Sequence, residues 1–504
     1  MLTGSGDTKS VWTLTAETPT FPALGEDIKA DVCVIGAGIA GMMTAYQLTK
    51  AGRRVVVLDD GGIGSGETGR TTAHITAALD DRYYNIEKLH GAEGARLAAE
   101  SHTAAINRAE EICKIENIQC DFLRLDGYLF LAEDHPHKIL EDEQQAAERA
   151  GLADVTIVER APVESFDTGP CLKFPRQGQF HPLKFLAGVA QAITREGGQI
   201  FCGSHVIDVK DEVPCTVKTT DGCTVTCSAV VVATNASVTD YVVTHAKQAP
   251  YRTYVIGARI PKATVPAILL WDTPDPYHYI RIQPERDHDV LIIGGEDHKT
   301  GHEDDMEERF AALEIWANQR FPMIEEVVYR WSGQVLEPFD YMSWTGMSPG
   351  SKNVYMHSGD SGNGITHGIM AGILLTDLIV GRDNPWAKLY DPKRITLGVD
   401  SIVEFTKENL DVAMQFKDYI LPGDSLEGIQ LGEGRVILRD GKRIAVYRDE
   451  EGALTQRSAV CTHLKCIVQW NSLEKSWDCP CHGSRFDPQG HVLNGPAISG
   501  LEEV

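Results

Sequence analysis

Residues 32–59, VCVIGAGIAGMMTAYQLTKAGRRVVVLD, constrain this chain more than any other stretch. An apolar run leads into Gly36, Gly38 and Gly41 at the spacing G-x-G-x-x-G, then a helix-length segment, then a second apolar run closed by Asp59. Strand, tight turn, helix and parallel strand is the arrangement that uses every one of these features. The first glycine permits the turn, the second lets a pyrophosphate approach the backbone, and the third lets helix and strand pack closely. The helix N-terminus adds amide donors and partial positive charge, and Asp59 is placed to receive a ribose hydroxyl. A dinucleotide-binding α/β fold is therefore expected at the front of the chain. No second G-x-G-x-x-G follows a strand, so a separate NAD(P)H site is not expected.

At 504 residues the chain is too long for one core, and roughly two to four domains are expected. Its formal charge of −25 argues against nucleic acid and against an anionic membrane surface as partners. From Leu421 onward there are nine Lys/Arg against twelve Asp/Glu, so most of the acidic excess lies upstream. The opening MLTGSGDTKSVWTL has neither a basic start nor an apolar run, and GIMAGILLTDLIVG is too short to span a bilayer and carries Asp377. No transmembrane segment and a cytoplasmic location are expected. There, the eight cysteines from Cys33 to Cys227 read as packing thiols. Residues 1–30 read as a loose leader with Trp12 as its docking residue.

Two later segments favour FAD as the dinucleotide. VVVATNA places small residues around Asn235 after a strand. The loop Gly359–Gly368 sets Gly362, Asn363, Gly364 and Thr366 before or at the start of a helix whose amides could face a flavin carbonyl. GETGRTTAH (66–74) brings Arg70, Thr71, Thr72 and His74, polar or small, to line the pyrophosphate or the isoalloxazine. Each loop alone reads equally as an ordinary turn. Together they resemble the D-amino-acid oxidase-like (glycine/D-amino acid oxidase, DAO) flavoproteins over residues 12–395. GRTTAH, WSG (331–333), GDSGNGITHG and DNPWAKLYDP are most similar to members that carry a C-terminal iron–sulfur domain.

The resemblance implies a Rossmann-type FAD domain interleaved with a mixed-sheet substrate domain. FAD-binding parts are expected at about 28–80, 180–240 and 340–385, and substrate parts at about 81–179 and 241–339, within an oxidoreductase unit of residues 1–395. A connecting arm with one helix would follow at 396–421. DG, EEG and PQG turns between short strands then give an all-β domain at 422–504.

That last domain holds CTHLKCIVQWNSLEKSWDCPCHGSRF. Cys461-x-His463 and Cys479-x-x-His482 offer two thiolates for one iron of a [2Fe–2S] cluster and two imidazoles for the other. Neutral imidazoles make such a centre easier to reduce, at about −150 to +300 mV. Structural zinc is the competing reading of a Cys/His set. The motif resembles Rieske domains, and that resemblance implies a disulfide between Cys466 and Cys481. Ser484 stands where high-potential Rieske domains carry a hydroxyl. Phe486 stands where they carry a tyrosine, which implies a lower potential, and Lys465 stands where glycine is often found.

A flavin beside a Rieske centre converts a hydride into single electrons. The expected activity is FAD-dependent oxidation of a small amine or amino acid, with electrons leaving through the cluster to an external protein or quinone-like acceptor. In YHYIRI, Tyr277, Tyr279 and Arg281 share a strand face, and Arg281 is the candidate clamp for a substrate carboxylate. A surface ion pair is the competing reading. His298, after IIGGED, is the candidate to face the flavin, and His74 is expected to touch the cofactor without a covalent link. Asp297, His298, His302 and Asp304 do not match a two-histidine, one-carboxylate iron site, so a Rieske oxygenase ranks third. Ahead of it stand an O₂-using oxidase whose cluster is structural or sensing, and an electron-transfer subunit with no organic substrate of its own.

Overall fold

The computed structural model describes residues 4–239, 247–395, 426 and 428–504. The arm and helix expected at 396–421 lie outside the described residues. The glycine-rich front forms the centre of a six-stranded sheet. Its strand order is Trp344–Met347, Val354–Ser358, Ala229–Val232, Val32–Ile35, Val55–Leu58, Gln199–Phe201. All neighbours are parallel except the edge pair Trp344–Met347 with Val354–Ser358. VCVI and VVVL are buried along their whole length, as strands covered on both faces must be.

The helix Ile39–Lys50 is apolar nearly all round because it is walled in: the sheet lies on one side and the helix Gly364–Val380 on the other. A Cβ on Gly372 would come within 2.8 Å of the Met43 backbone, and one on Gly368 within 2.6 Å of the Ile39 side chain. Two helices at that separation leave no room for larger residues. The approach also sets the loop preceding Gly364 against the start of the dinucleotide helix.

The second body is a nine-stranded mixed sheet. Along it run Glu326–Pro338, Gln248–Ile260, Asp289–Lys299, Tyr279–Pro284, Leu269–Trp271, Leu123–Phe130, Cys171–Gln179 and His74–Ile75, with Thr156–Val158 added beside Cys171–Gln179. Strand alternation divides its faces. Tyr254, Ile256, Ile280, Leu291 and Ile293 pack with the helix Met306–Arg320. The opposite face presents Thr253, Tyr279 and Arg281 towards the dinucleotide side, where Trp12 and Trp331 pack with Val255, Val290 and Ile292. Trp12 is fully buried and donates its indole N–H to the Thr71 carbonyl, which fastens the leader down.

The last domain is two small antiparallel sheets, Glu433–Arg439 with Lys442–Arg448 and Leu454–Ser458, and Gln469–Asn471 through Val492–Asn494. It is seated on the rest of the molecule by a buried ionic group. Glu474 accepts from Arg70 at 2.8 Å and from Ser332 and Thr8, and its carboxyl lies far below the usual range because Arg70, Arg252 and Arg485 surround it despite burial. Asp478 pairs with Arg485 at 3.1 Å and approaches Arg252 at 3.8 Å. Removing one member of such a group strands buried charge, at a cost of about 3–5 kcal/mol.

Candidate active site and metal centre

A long cleft, about 1590 Å³ of space not filled by protein atoms with its solvent mouth included, runs between the two sheets. Gly36, Gly38, Asp59 and Asn235 line it, as do Thr71, Gly362 and Gly364. A Cβ on Gly36 would collide with the Ala233 carbonyl at 2.3 Å and one on Gly41 with the Gly36 carbonyl at 1.9 Å, so both glycines are required by close approach. Asp59 accepts from the amides of Ala37 (2.6 Å) and Gly61 (2.8 Å), and burial with the nearby Asp60 charge still pushes its carboxyl up to about 7. A group so placed gains from a hydroxyl donor such as a ribose. Thr68, inside the polar loop but not singled out from sequence, caps the dinucleotide helix by accepting from Ile39 N at 3.0 Å. These residues suit FAD: Asp59 would hold the ribose, and the helix amides with Gly38 and Thr68 the pyrophosphate.

Other expected cofactor residues take supporting places. Gly41 packs helix on strand. Thr72 bonds His74 Nδ1 at 3.0 Å, and Thr366 accepts from Thr76 N. Asn363 accepts from Asp80 N and donates towards Thr76 and Ala78. Arg70 needs correcting. It is among the residues lining the cleft, but its guanidinium is buried in the domain junction, bonded to Glu474, the Ser332 carbonyl and Thr8. His74 is held by Thr72 and the Ile280 carbonyl, and burial, then the Arg281 charge, lowers its pKa to about 3.

Two expected substrate residues also sit elsewhere than their roles require. Arg281 shares a face with Tyr279, but its guanidinium is 0% exposed. It donates to the carbonyls of Thr72, Ala73 and Phe180 and to Gln283, under the Trp12 ring. It pins the loop after Arg70 to the sheet. His298 points to the opposite face, where Nε2 meets the Tyr254 hydroxyl at 2.8 Å, and burial lowers its pKa to about 4. The alternation of one strand explains the miss: the preceding residue, Asp297, is the one that turns inward.

Asp297 belongs to an acidic wall beside the cleft that the sequence did not disclose. Tyr277 donates to Asp80 at 2.6 Å, and a Cβ on Gly362 would meet that carboxylate at 1.9 Å. Tyr279 shares a 2.5 Å hydrogen bond with Thr253, which lines the cleft. Burial pushes Asp80 up to about 6, and burial with repulsion from neighbouring carboxylates pushes Asp81 and Asp297 up to about 7 and Glu337 well above the carboxylate range. Oδ1 of Asp297 is buried and makes no hydrogen bond. The four acids come from three separate segments, so no local spacing announces them.

In the tail, Cys466 and Cys481 are joined by a disulfide, which ties the two ligand loops together. The sulfurs of Cys466, Cys479 and Cys481 lie within 4.8 Å of one another. With two of those in the disulfide, the thiols left are Cys479 and Cys461, both buried. The rings of His463 and His482 stand edge to face, 5.2 Å apart, and each Nδ1 is buried and makes no hydrogen bond. Two thiols beside two imidazole nitrogens available as donors fit a [2Fe–2S] centre. The Ser484 hydroxyl bonds Cys461 and accepts from Ala497 N at 3.1 Å. Lys465 has φ +65°, the left-handed region where glycine is most comfortable. Gln334 links the two sites: it lines the cleft, and its side-chain amide donates to the Gly483 carbonyl, next to His482, at 3.0 Å.

Comparison with known proteins agrees with both sites. Residues 31–378 match the family described as FAD dependent oxidoreductase (DAO), and residues 424–504 match the Rieske [2Fe-2S] domain. YhfW of Bacillus subtilis, named as a Rieske 2Fe-2S iron-sulfur protein, is 31% identical over 98% of this chain and 97% of its own length. Gamma-glutamylputrescine oxidoreductase of Escherichia coli is 30% identical over 72% of this chain and 86% of that protein. Among solved structures, glycine oxidase from Geobacillus kaustophilus superimposes with a TM-score of 0.61 at 20% identity, over 73% of this chain and 99% of the oxidase. Among the described residues no helix is long and apolar enough to cross a membrane.

Proposed function

Because the chain belongs to the DAO family of FAD-dependent oxidoreductases and carries a Rieske [2Fe–2S] domain, we propose that it oxidises a small amine or amino acid and passes the electrons singly to an external acceptor. When bound, FAD accepts a hydride and the [2Fe–2S] centre carries one electron at a time. The observation that supports the coupling is Gln334, which lines the cleft while its side-chain amide donates to the Gly483 carbonyl in the loop bearing His482.

Within that substrate class, the wall favours a cationic amine over a substrate defined by its carboxylate. Burial holds Asp80, Asp81, Asp297 and Glu337 above the carboxylate range although Arg82 partly offsets it at Asp80 and Asp81, so an arriving cation would favour their ionised forms, and Arg281 has its guanidinium spent on backbone carbonyls. Tyr277 and Tyr279 give the apolar stem of such an amine an aromatic wall and hold two of the polar groups in place. The Escherichia coli relative, named for gamma-glutamylputrescine, points the same way. No base is assigned; orientation and exclusion of water are the contributions the wall can make.

Anaerobic titration with di- and polyamines, N-methyl amino acids and D-amino acids tests this reading. Flavin bleaching by the cationic amines, followed by the electron paramagnetic resonance signal of the reduced cluster, is expected. A flavin that bleaches while the cluster stays oxidised, and that regains its colour when O₂ is admitted, would mark an O₂-using oxidase, and no reduction by any amine would mark a protein reduced by a partner.

A further inference from the structure

The cleft is not built from the oxidoreductase unit alone. Val492, Leu493, Asn494, Gly495 and Ala497, all from the iron–sulfur domain, line it together with Asp59, Asp60 and Ser204–Val206. Two hydrogen bonds, at Asn494 and at the adjoining Ile498, hold that segment in place. Asn494 donates to Glu67 Oε1 at 3.1 Å, and Glu67 in turn accepts from Gln334 N with its other oxygen. His205 Nε2 meets the Ile498 carbonyl at 3.0 Å. A Cβ added at Gly495 would lie 3.4 Å from the Val238 side chain, at ordinary contact distance. Behind them the Glu474 group fixes the whole domain, with Arg70 reaching it from the loop that borders the cleft.

We propose that the iron–sulfur domain is part of the dinucleotide-binding site, with residues 492–497 as one wall of the FAD cleft, so that FAD loads and leaves only when that domain lifts away. The proposal rests on the cleft being the FAD site. A domain that served electron transfer alone would need only to bring its ligand loops near the flavin. Here a separate strand, Val492–Asn494, extends along the nucleotide cleft and contributes a side-chain amide to the loop Glu67–Arg70. The same docking that sets the electron path therefore holds the cofactor.

Release of FAD from purified holoprotein diluted into buffer, read as recovery of flavin fluorescence, tests this without turnover. Visible circular dichroism of the cluster reports whether the domain itself stays folded. Glu474→Gln, which weakens the ionic group at the junction, should raise the release rate about tenfold or more with the cluster spectrum intact. Asn494→Ala, a smaller change at the cleft wall, should raise it about threefold to tenfold. Release within about twofold of wild type in Asn494→Ala, and in Glu474→Gln wherever its cluster is intact, overturns the proposal. A holoprotein that carries no FAD at all would instead sink the assignment of the cleft.

Discussion

The cluster loops and the acidic wall are built in opposite ways. Cys461, His463, Cys479 and His482 come from two short loops, each pair within four residues, closed upon each other by the Cys466–Cys481 disulfide. Asp80, Asp81, Asp297 and Glu337 come from a loop and two strands of a mixed sheet, and their meeting depends on register and on which way each strand turns its side chains. Chemistry written as a local spacing survives small shifts of the fold. Chemistry assembled by strand register does not exist until the sheet closes.

The sharpest test of this contrast is Cys479→Ser. It should abolish the cluster signal altogether while bound FAD can still be bleached by substrate; iron retained in full would remove Cys479 from the ligand set. Next in size, Asp297→Asn combined with Glu337→Gln should weaken binding of a quaternary amine about tenfold to hundredfold, read from the flavin spectrum. In wild type the same affinity should fall as pH drops from 7 through 6. Asp297 and Asp80 are protonated near about 7 and 6, and a protonated wall loses its attraction while the quaternary charge stays. Affinity flat across that range would remove the wall from substrate recognition.

Arg281→Ala divides structural from functional readings of one residue. Three carbonyls lose their donor, so stability should fall by about 3 kcal/mol in denaturant, with little change in KM for a cationic amine. A steep rise in KM in a variant of normal stability would restore the carboxylate clamp. The smallest effect concerns potential. Phe486 is fully buried in the cluster domain's core, with Cys461 and Cys479 among its neighbours. Phe486→Tyr should raise the cluster potential in a redox titration by adding a donor, and no rise would place the hydroxyl out of reach of the sulfurs.

Several misreadings share one cause. Arg281 was correctly placed on the Tyr279 face, but a guanidinium on that face is captured by Thr72, Ala73 and Phe180 before it reaches the cleft. His298 and Asp297 are neighbours in sequence and face opposite ways, and the positive φ of Gly295 and Glu296 just before them hides the count that alternation would need. Arg70 reads as a cofactor ligand because its loop lines the cleft. Its partner, Glu474, is 404 residues away.

The amino-acid order alone determined the dinucleotide turn, the two ligand loops of the tail and the pairing of those two units on one chain. Each rests on steric or coordination rules acting over a few adjacent residues. Tertiary structure alone decided which acids meet at the buried wall, that Arg281 and Arg70 serve as braces, and that Val492, Leu493, Asn494, Gly495 and Ala497 line the cleft. Those outcomes depend on strand register and domain docking, where burial and competition for hydrogen-bond partners choose among side chains that look equivalent in the chain.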